Sequence, residues 1–540
     1  MLEQNFYIVT LLLISENIWA NIYLIFSGIL RRGKAFMSVR SLTGQPKPFY
    51  LIFFIEIWER FGYYGVQALL VLYMVERLGY QDSHADFLFA AFSALVFLLP
   101  CLGGYVGDKL LGTKRTILLG AIVLALGYLL LSLPAISNAY LALPLAFIAV
   151  GNGLFKANPS SLLSKVYEKT QHNLDSGFTL YYMAVNIGAA VSMNLTPILS
   201  KFFGWHVAFS VCCAGLVIAI FNFFAMRGSI ADYGSKPDQS LLRLHYLMYV
   251  LLGTAGLIVG GYFLLIHFQI MSWLLSIGTV ALLLTYFVLT GKAKPEERKG
   301  MFLFIILFSQ AVVFFVLYFQ MPTSLSLFAL RNVHHSILGI PIEPAQFQML
   351  NPLWVMIMSP VMAVIYQRLH KRGRDLSMPA KFSLGTFLAG LAFLSLPFGA
   401  LFNHHGVISG MWLVLSYWLQ STGELLVSAL GLSLAARYVP QRFMGFTMGL
   451  WFLCTSIASI IAGKVASIAS IPKNISKDAL MSLPIYDHLF MKIGLITVAI
   501  SLVMFTLVPL LKKLAANDKQ FVDKQDVAEL LSDDQLVELS

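Results

Sequence analysis

Fourteen separate stretches of this chain are each long enough and apolar enough to cross a lipid bilayer, and this decides most of what it can fold into. A spanning helix needs about 20 predominantly apolar residues. The stretches cover residues 50–78, 86–107, 116–134, 140–164, 177–199, 206–226, 246–266, 270–290, 301–328, 349–367, 380–402, 408–436, 444–468 and 488–511. Lipid offers no partner for backbone N–H and C=O groups, so each stretch must close its hydrogen bonds internally, as helix. The expected fold class is therefore an all-α polytopic membrane protein with 14 transmembrane helices. Composition agrees: 58% of the 540 residues are hydrophobic and 12% charged, against about 25% charged in a soluble domain. A soluble enzyme, a secreted disulfide scaffold and a nucleic-acid binder are excluded, although the net charge of +11 would suit the last.

The excess charge reports topology. Basic residues concentrate in alternate loops: Asp108 to Arg115 (DKLLGTKR), Lys165 to His172, Arg227 to Arg243, Lys292 to Lys299, Arg368 to Arg374 and Arg437 to Arg442. Loops 134–140 and 402–407 carry few or no basic residues. Basic loops face the cytoplasm, which places both termini of an even-numbered bundle there, in a cell inner membrane. Cys101, Cys212, Cys213 and Cys454 lie in apolar runs without zinc-ligand spacing and read as small buried hydrophobes. No metal or cofactor is expected.

The two ends of the chain depart from this pattern. Residues 6–30 are apolar but interrupted by Glu16, Asn17 and Asn21, without the features of a signal peptide. Met37 opens MSVRSLTGQPKP, which reads as an ordinary cytoplasmic start, so residues 1–36 are expected to lie outside the functional chain. The rival reading makes them an interfacial or additional spanning helix. At the other end, residues 513–540 turn acidic and amphipathic and read as a solvated cytoplasmic tail.

Ionisable residues inside spans are the informative ones, since each costs about 2.5–3.5 kcal/mol at a helix centre. The first span carries Glu56, Glu59 and Arg60 at i, i+3 and i+4, one face of a helix, and Tyr63, Tyr64 and Gln67 continue that stripe. One wall of a polar cavity is implied. Two carboxylates and one guanidinium leave a carboxylate unpaired on this helix, and Lys156, in the fourth span (GNGLFKANPSS), is the expected partner. In the tenth six-plus-six helix (WLQSTGELLVSALGLS), Glu424 has Ser421, Thr422 and Gly423 before it and Ser428 one turn on. With no Lys or Arg in that span before Arg437, its counter-charge must come from another helix, a bound proton or a cationic group of a substrate. Asn186 (LYYMAVNIGAA), Asn351 (NPLWVM) and Trp451 (MGLWFL) are weaker candidates, since such residues more often join helices or pack.

These motifs carry a resemblance. EIWERFGYYG resembles the ExxER motif that opens proton-dependent oligopeptide transporters, and LYYMAVNIG is similar to their FYxxINxG signature. GGYVGDKLLGTKRT resembles the loop between helices 2 and 3 of the major facilitator superfamily, with Asp108 as its acid. QMPTSLSLFALRNV, NPLWV and DLSMPAKF are most similar to the dipeptide and tripeptide permease branch. The resemblance covers residues 47–512. It implies two six-helix bundles, residues 49–228 and 300–512, after an N-terminal segment 1–48, with an inserted helical pair and its linkers at 229–299. It also implies that helices 1, 4, 7 and 10 of the two bundles line a central cavity, where Glu56, Glu59, Arg60, Lys156 and Glu424 fall. Two departures stand out. Gln67 replaces an arginine found in many members, and Phe319-Gln320 stands where an acid would pair with it. Phe97 replaces a frequent tyrosine. The closing of the outer gate must then rest on Gln67 or on apolar packing.

The function this implies is proton-coupled symport of di- and tripeptides by alternating access, by a monomer. Arg60 and Lys156 would hold the peptide carboxylate. Glu424, with Asn351 and Asn186, would hold the amine, and Tyr63, Tyr64, Ser428 and Trp451 would meet the side chains. Glu56, Glu59, Arg60 and Lys156 would couple the proton, which displaces Lys156 from its glutamate. Gln67 and Asp108 would serve conformational change. The alternatives are another solute such as nitrate, or a peptide sensor that does not transport.

Overall fold

The computed structural model describes residues 44–134, 138–168, 174–374, 376–428 and 430–515. The expectations for residues 1–36 and for most of the acidic tail lie outside these residues. Among the described residues the chain is almost wholly helical. The first half comprises α1 (Lys47–Leu72), α2 (Asp82–Leu110), α3 (Thr113–Ser132), α4 (Ala139–Val166), α5 (Ser176–Phe203) and α6 (Trp205–Ile230). A peripheral pair follows, α7 (Leu244–Ile266) and α8 (Phe268–Lys292). The second half comprises α9 (Pro295–Tyr318), the short α10 (Ser324–Asn332), α11 (Leu350–Lys371), α12 (Met378–Ala400), α13 (Met411–Val427), the short α14 (Gly431–Tyr438), α15 (Met444–Ala466) and α16 (Ala479–Ala515).

Each of the fourteen apolar stretches is helical, and twelve helices are long and apolar enough to span a bilayer by length and composition. The other two fall short for visible reasons. Helix α1 carries Glu56, Glu59 and Arg60 close together, and α13 has only 17 residues before its helix breaks. Helix α11 runs to Lys371 with Pro360 inside it.

In the first half α1 packs against α5 and α6, and α3 packs against α4 and α6; in the second, α12 packs against α13 and α16. The halves meet where α2 lies along α15. Helix α7 rests on α4 and α2, and α8 on α15 and α9. The most apolar windows of α7 and α8 are only 22% and 17% buried, against 67% for α2 and 72% for α4. This pair therefore leaves most of its apolar surface uncovered by the rest of the chain.

Small residues set how closely these helices approach. A Cβ at Gly103 of α2 would lie 2.0 Å from the carbonyl oxygen of Gly153 in α4, so only glycine permits this crossing. Asn158 locks it by donating to the Gly103 and Leu154 carbonyls at 3.1 and 2.7 Å. Helix α4 breaks at Ala157, and its second part restarts at Asn158 with Pro159 in the first turn, the position where a missing N–H costs least. The break falls directly after Lys156. In the second half the chain breaks shortly after Glu424, and α14 restarts at Gly431, where a Cβ would meet Trp451 at 1.7 Å.

At the basic side, the linker after α6 clamps the turn between α2 and α3. Ser235 Oγ donates to the Gly107 carbonyl at 2.7 Å, and Lys114 Nζ donates to the Ile230 and Ala231 carbonyls at 3.1 and 2.9 Å. Two cysteines differ from expectation: Cys101 is exposed and Cys213 only partly buried, while Cys212 and Cys454 are buried. Cys101 follows Pro100 on the outward face of α2, near exposed Leu102 and Tyr105.

Gly103→Val should destabilise the protein by about 1–3 kcal/mol through overpacking, read as a clear drop in melting temperature in detergent. Gly104→Val, whose added carbon meets only the Ala157 Cβ at 3.6 Å, should leave the melting temperature nearly unchanged.

Candidate functional site

Helix periodicity brings the polar stripe of α1 to one face, as the spacing requires. Glu56 and Glu59 are fully buried and Arg60 nearly so. Arg60 Nε donates to Glu56 Oε1 at 2.7 Å and lies 3.2 Å from Glu59 Oε2. Asn152, one turn before Lys156 in α4, donates through Nδ2 to Glu59 Oε1 at 2.8 Å. One guanidinium thus serves two carboxylates. Glu56 Oε2 and Glu59 Oε2 accept no hydrogen bond.

This corrects the expected pairing of Lys156 with a glutamate. Lys156 Nζ sits over the Phe97 ring, 4.1 Å from its centroid. It remains in electrostatic reach of Glu59 and Glu56, but no carboxylate lies within 4.0 Å of it among the described residues. The physical reason is that Arg60, on the same helix as both acids, reaches them without crossing between helices. Phe97 offers Lys156 an electron-rich ring face in its place. Lys156 is half-buried, so its ammonium stays open to an incoming group.

Across from this cluster, Asn351 of α11 donates to Glu424 Oε2 at 2.7 Å and to Ser421 Oγ at 3.0 Å. The two residues that sequence reading assigned to one pole are therefore in direct contact. Glu424 is half-buried, and no Lys or Arg lies within 4.0 Å of it among the described residues. Tyr64, Tyr182 and Tyr318 lie in electrostatic reach of it. Tyr64 connects the two poles, since it also faces Arg60.

The remaining candidates take varied places. Tyr63 is buried, edge-on to Tyr64 with ring centroids 5.2 Å apart. Asn186 donates to the Tyr182 carbonyl of its own helix at 2.8 Å. Ser428 N–H caps the Glu424 carbonyl at 2.8 Å, and its side chain is half-buried. Trp451 is buried, edge-on to Phe308 and Phe315, and wedged over Gly431. Gln67 is half-buried without a hydrogen-bond partner among the described residues. Asp108 lies 3.6 Å from Lys165 Nζ, an ion pair within the first half.

At the end of the bundle opposite Lys47 and Leu514, the two halves are closed together by contacts that sequence reading missed. Arg331, in the last turn of α10, grips Asp82 at the start of α2 with two hydrogen bonds of 2.6 and 2.8 Å and also donates to the Tyr486 hydroxyl at 2.9 Å. Asp82 Oδ2 accepts the Ile471 N–H at 3.0 Å. Burial opposes the charge on Arg331, but its bonds to Asp82 and Tyr486 outweigh this and hold its pKa above the ordinary guanidinium value. Gln348 donates to the Ala68 carbonyl at 3.2 Å and to Ser326 at 2.9 Å. Deeper, Phe97 meets Phe319 edge-on at 5.6 Å. An acid in an N-terminal helical turn and an arginine beyond the end of another span are each ordinary alone, so Arg331 stood unremarked inside QMPTSLSLFALRNV, while Phe97 and Phe319 read only as departures from the family pattern.

A helical membrane bundle with a buried cluster of mixed charge on one half, an isolated acid on the other and one end sealed has the organisation of a transporter, not of an enzyme. Comparison with known proteins makes the class specific. The POT family profile matches residues 114–483. Dipeptide and tripeptide permease B of Salmonella typhimurium is 47% identical over 482 residues, covering 88% of this chain and 98% of its own length. Dipeptide and tripeptide permease A of Erwinia pyrifoliae is 49% identical over 476 residues, covering 88% and 96%. Among solved structures, tetrameric PepTSo2 is 39% identical with a TM-score of 0.78, covering 87% of this chain and 99% of that one. A peptide transporter POT in complex with sulfate is 28% identical with a TM-score of 0.76, covering 87% and 96%. The chain belongs to the POT family.

Arg60→Ala should leave two buried carboxylates without their cation, a loss of about 3–5 kcal/mol. The melting temperature of that variant should fall well below wild type. Adding Glu56→Gln and Glu59→Gln should recover much of the fall, which thermal unfolding of the three proteins in detergent would check.

Proposed function

We propose that this protein is a symporter that imports di- and tripeptides with protons by alternating access, and that Glu424 reads the peptide amine. The observation that carries the reading is the half-buried Glu424 carboxylate, fixed by Asn351 and lacking any basic partner among the described residues. Such an acid suits an ammonium group delivered by a substrate. The relatives' names as dipeptide and tripeptide permeases support the same substrate class.

A zwitterionic peptide carries its two charges a few residues apart, at no more than about 3.3–3.6 Å per residue. Its carboxylate would meet Lys156, which can leave the Phe97 ring, and Arg60. Its amine would meet Glu424. Tyr64 and Tyr182, together with the half-buried Ser428, offer surfaces that accept many side chains. Binding both ends ties the two halves together, which favours an occluded conformation.

Coupling follows from charge count. The Arg60, Glu56 and Glu59 cluster holds one negative charge too many, and either a proton on a carboxylate or an approach of Lys156 removes it. The two are alternatives, so a proton on the cluster frees Lys156 for the peptide carboxylate. In this reading the conformation with Lys156 over Phe97 corresponds to the proton-loaded cluster. When the peptide leaves, Lys156 can move to the cluster and displace the proton. The titration belongs to the set of groups and not to one glutamate.

The basic loops lie on one side, with the sealed end facing outward and both termini in the cytoplasm of a cell inner membrane. The sealed end does without an ion pair between α1 and α9, relying on Asp82 with Arg331, on Gln348 and on Phe97 with Phe319. Asp108 and Lys165 would brace the inner ends of α2 and α4 within the first bundle, residues 49–228, as it moves against residues 300–512. All groups with a role come from one chain, so a monomer suffices.

In proteoliposomes with an inward proton gradient, labelled dialanine and trialanine should accumulate, and an uncoupler should abolish this. Glu424→Gln should lower uptake at least tenfold, equivalent to about 1.4 kcal/mol or more of lost amine binding. Nitrate uptake without peptide uptake would assign the fold to another solute, and peptide binding without accumulation would make the protein a sensor. Lys156→Ala should still exchange protons poorly and fail to concentrate peptide; accumulation by this variant against a gradient would overturn the coupling scheme.

A further inference from the structure

The mechanism above leaves one buried acid unused. Asp86, one turn into α2 from Asp82, is 1% exposed, and neither carboxylate oxygen has a hydrogen-bond partner. We propose that Asp86 is a second proton site, separate from the chamber, whose proton holds the outer gate shut. The proposal rests on the alternating-access reading.

The surroundings define what this carboxyl can do. Asp82 faces it from the same helix, Arg331 from the last turn of α10 and Tyr486 from α16. Arg331 is the one cation among them, and it is committed to Asp82 and Tyr486 through Nη1 and Nη2. Glu76, beyond α1, also lies in electrostatic reach of Arg331. From α15, Gly463 packs so closely that a Cβ there would lie 3.1 Å from the Asp86 carbonyl oxygen. Its neighbour Lys464 is exposed. His84 stands about 200° around the helix from Asp86 and lines a groove with Phe87 and His267 from the turn between α7 and α8.

A carboxylate sealed in this place, beside a second carboxylate and without a free cation, takes up a proton instead of keeping its charge. The seal itself is temporary. Arg331, Tyr486 and Gly463 all belong to the second half of the chain, and Asp86 to the first, so parting the halves at this end strips the cover from Asp86 and admits water. In water an aspartate carboxyl, with its ordinary pKa of about 3.9, is ionised at neutral pH and can then compete with Asp82 for Arg331. Closing requires Asp86 Oδ to take a proton from outside water, and reopening returns it to the same side. The site therefore sets the external pH at which the gate closes and adds nothing to the number of protons carried per peptide.

The test needs no peptide. Full-length protein in lipid nanodiscs, with its native cysteines replaced by serine, would carry spin labels at Gln81→Cys and Leu338→Cys, on the outer loops of the two halves. Inter-label distances would be recorded between about pH 5 and about pH 8, spanning the range in which a carboxyl can shift upward. The ratio of short to long distances should fall as pH rises, by up to about tenfold per pH unit for one proton bound only in the closed form. Asp86→Asn, neutral at every pH, should stay closed with no slope, while Asp232→Asn, an exposed acid in the linker after α6, should keep the wild-type slope. A wild-type ratio that does not change with pH would overturn the proposal without any variant being made, and so would an Asp86→Asn protein that keeps the wild-type slope. Failure of peptide uptake would overturn the proposed function and leave these distances unchanged.

Discussion

Arg60 lies nearly buried between two acids in a protein whose outside is lipid, and the cost of burying such charges shapes everything around it. A single carboxylate or guanidinium in that setting carries a desolvation cost that only close partners offset. Arg60 bonded to Glu56 and facing Glu59, with Asn152 from α4 completing the Glu59 shell, supplies those partners. This fixes α1 against α4, and the crossing of α4 with α2 through Gly103 and Gly153 then follows. The three helices that carry the cation pole are thus oriented by polar contacts that lipid makes expensive to break.

The second pole is built more loosely. Glu424 has one amide and one nearby serine in its shell, and it is half-buried where the glutamates of α1 are sealed. That asymmetry suits division of labour between a cluster that stores a charge imbalance and an acid left open to a substrate. The seal at the end opposite Lys47 and Leu514 is different again, combining a fully engaged Arg331 with aromatic edges and a bridging glutamine. It joins segments of the chain 249 residues apart at Asp82 and Arg331.

Much of this was legible in the sequence because local periodicity carries it. The stripe from Glu56 to Gln67 follows from helix spacing alone, whereas Asn351, a weak candidate by itself, was joined to Glu424 only through the function that the family resemblance implies. The break after Lys156 was visible in its glycines and proline. What escaped was partner choice across helices. Two carboxylates and one arginine look one cation short when counted, so Lys156 was assigned to them; geometry lets a single guanidinium lie between both. Phe97 read as a lost hydroxyl, whereas its ring face is what Lys156 meets. Asp86 stood on the first residue of the expected span 86–107, where an acid reads as interfacial. The helix begins a turn earlier, at Asp82, which carries Asp86 into the seal.

The breaks in α4 and after α13 have a mechanical consequence. Lys156 and Glu424 each occupy the last turn or so before a joint in the backbone, one in each half of the chain. A rigid rod would transmit any tug on its middle to both ends at once. A jointed one lets the inner segments, Asn158–Val166 and Gly431–Tyr438, swing while the outer segments keep their packing. On the proposed function, a cargo that pulls on the two charges would act on a pair of short levers, and the seal formed by Asp82 and Arg331 would keep its contacts while they swing.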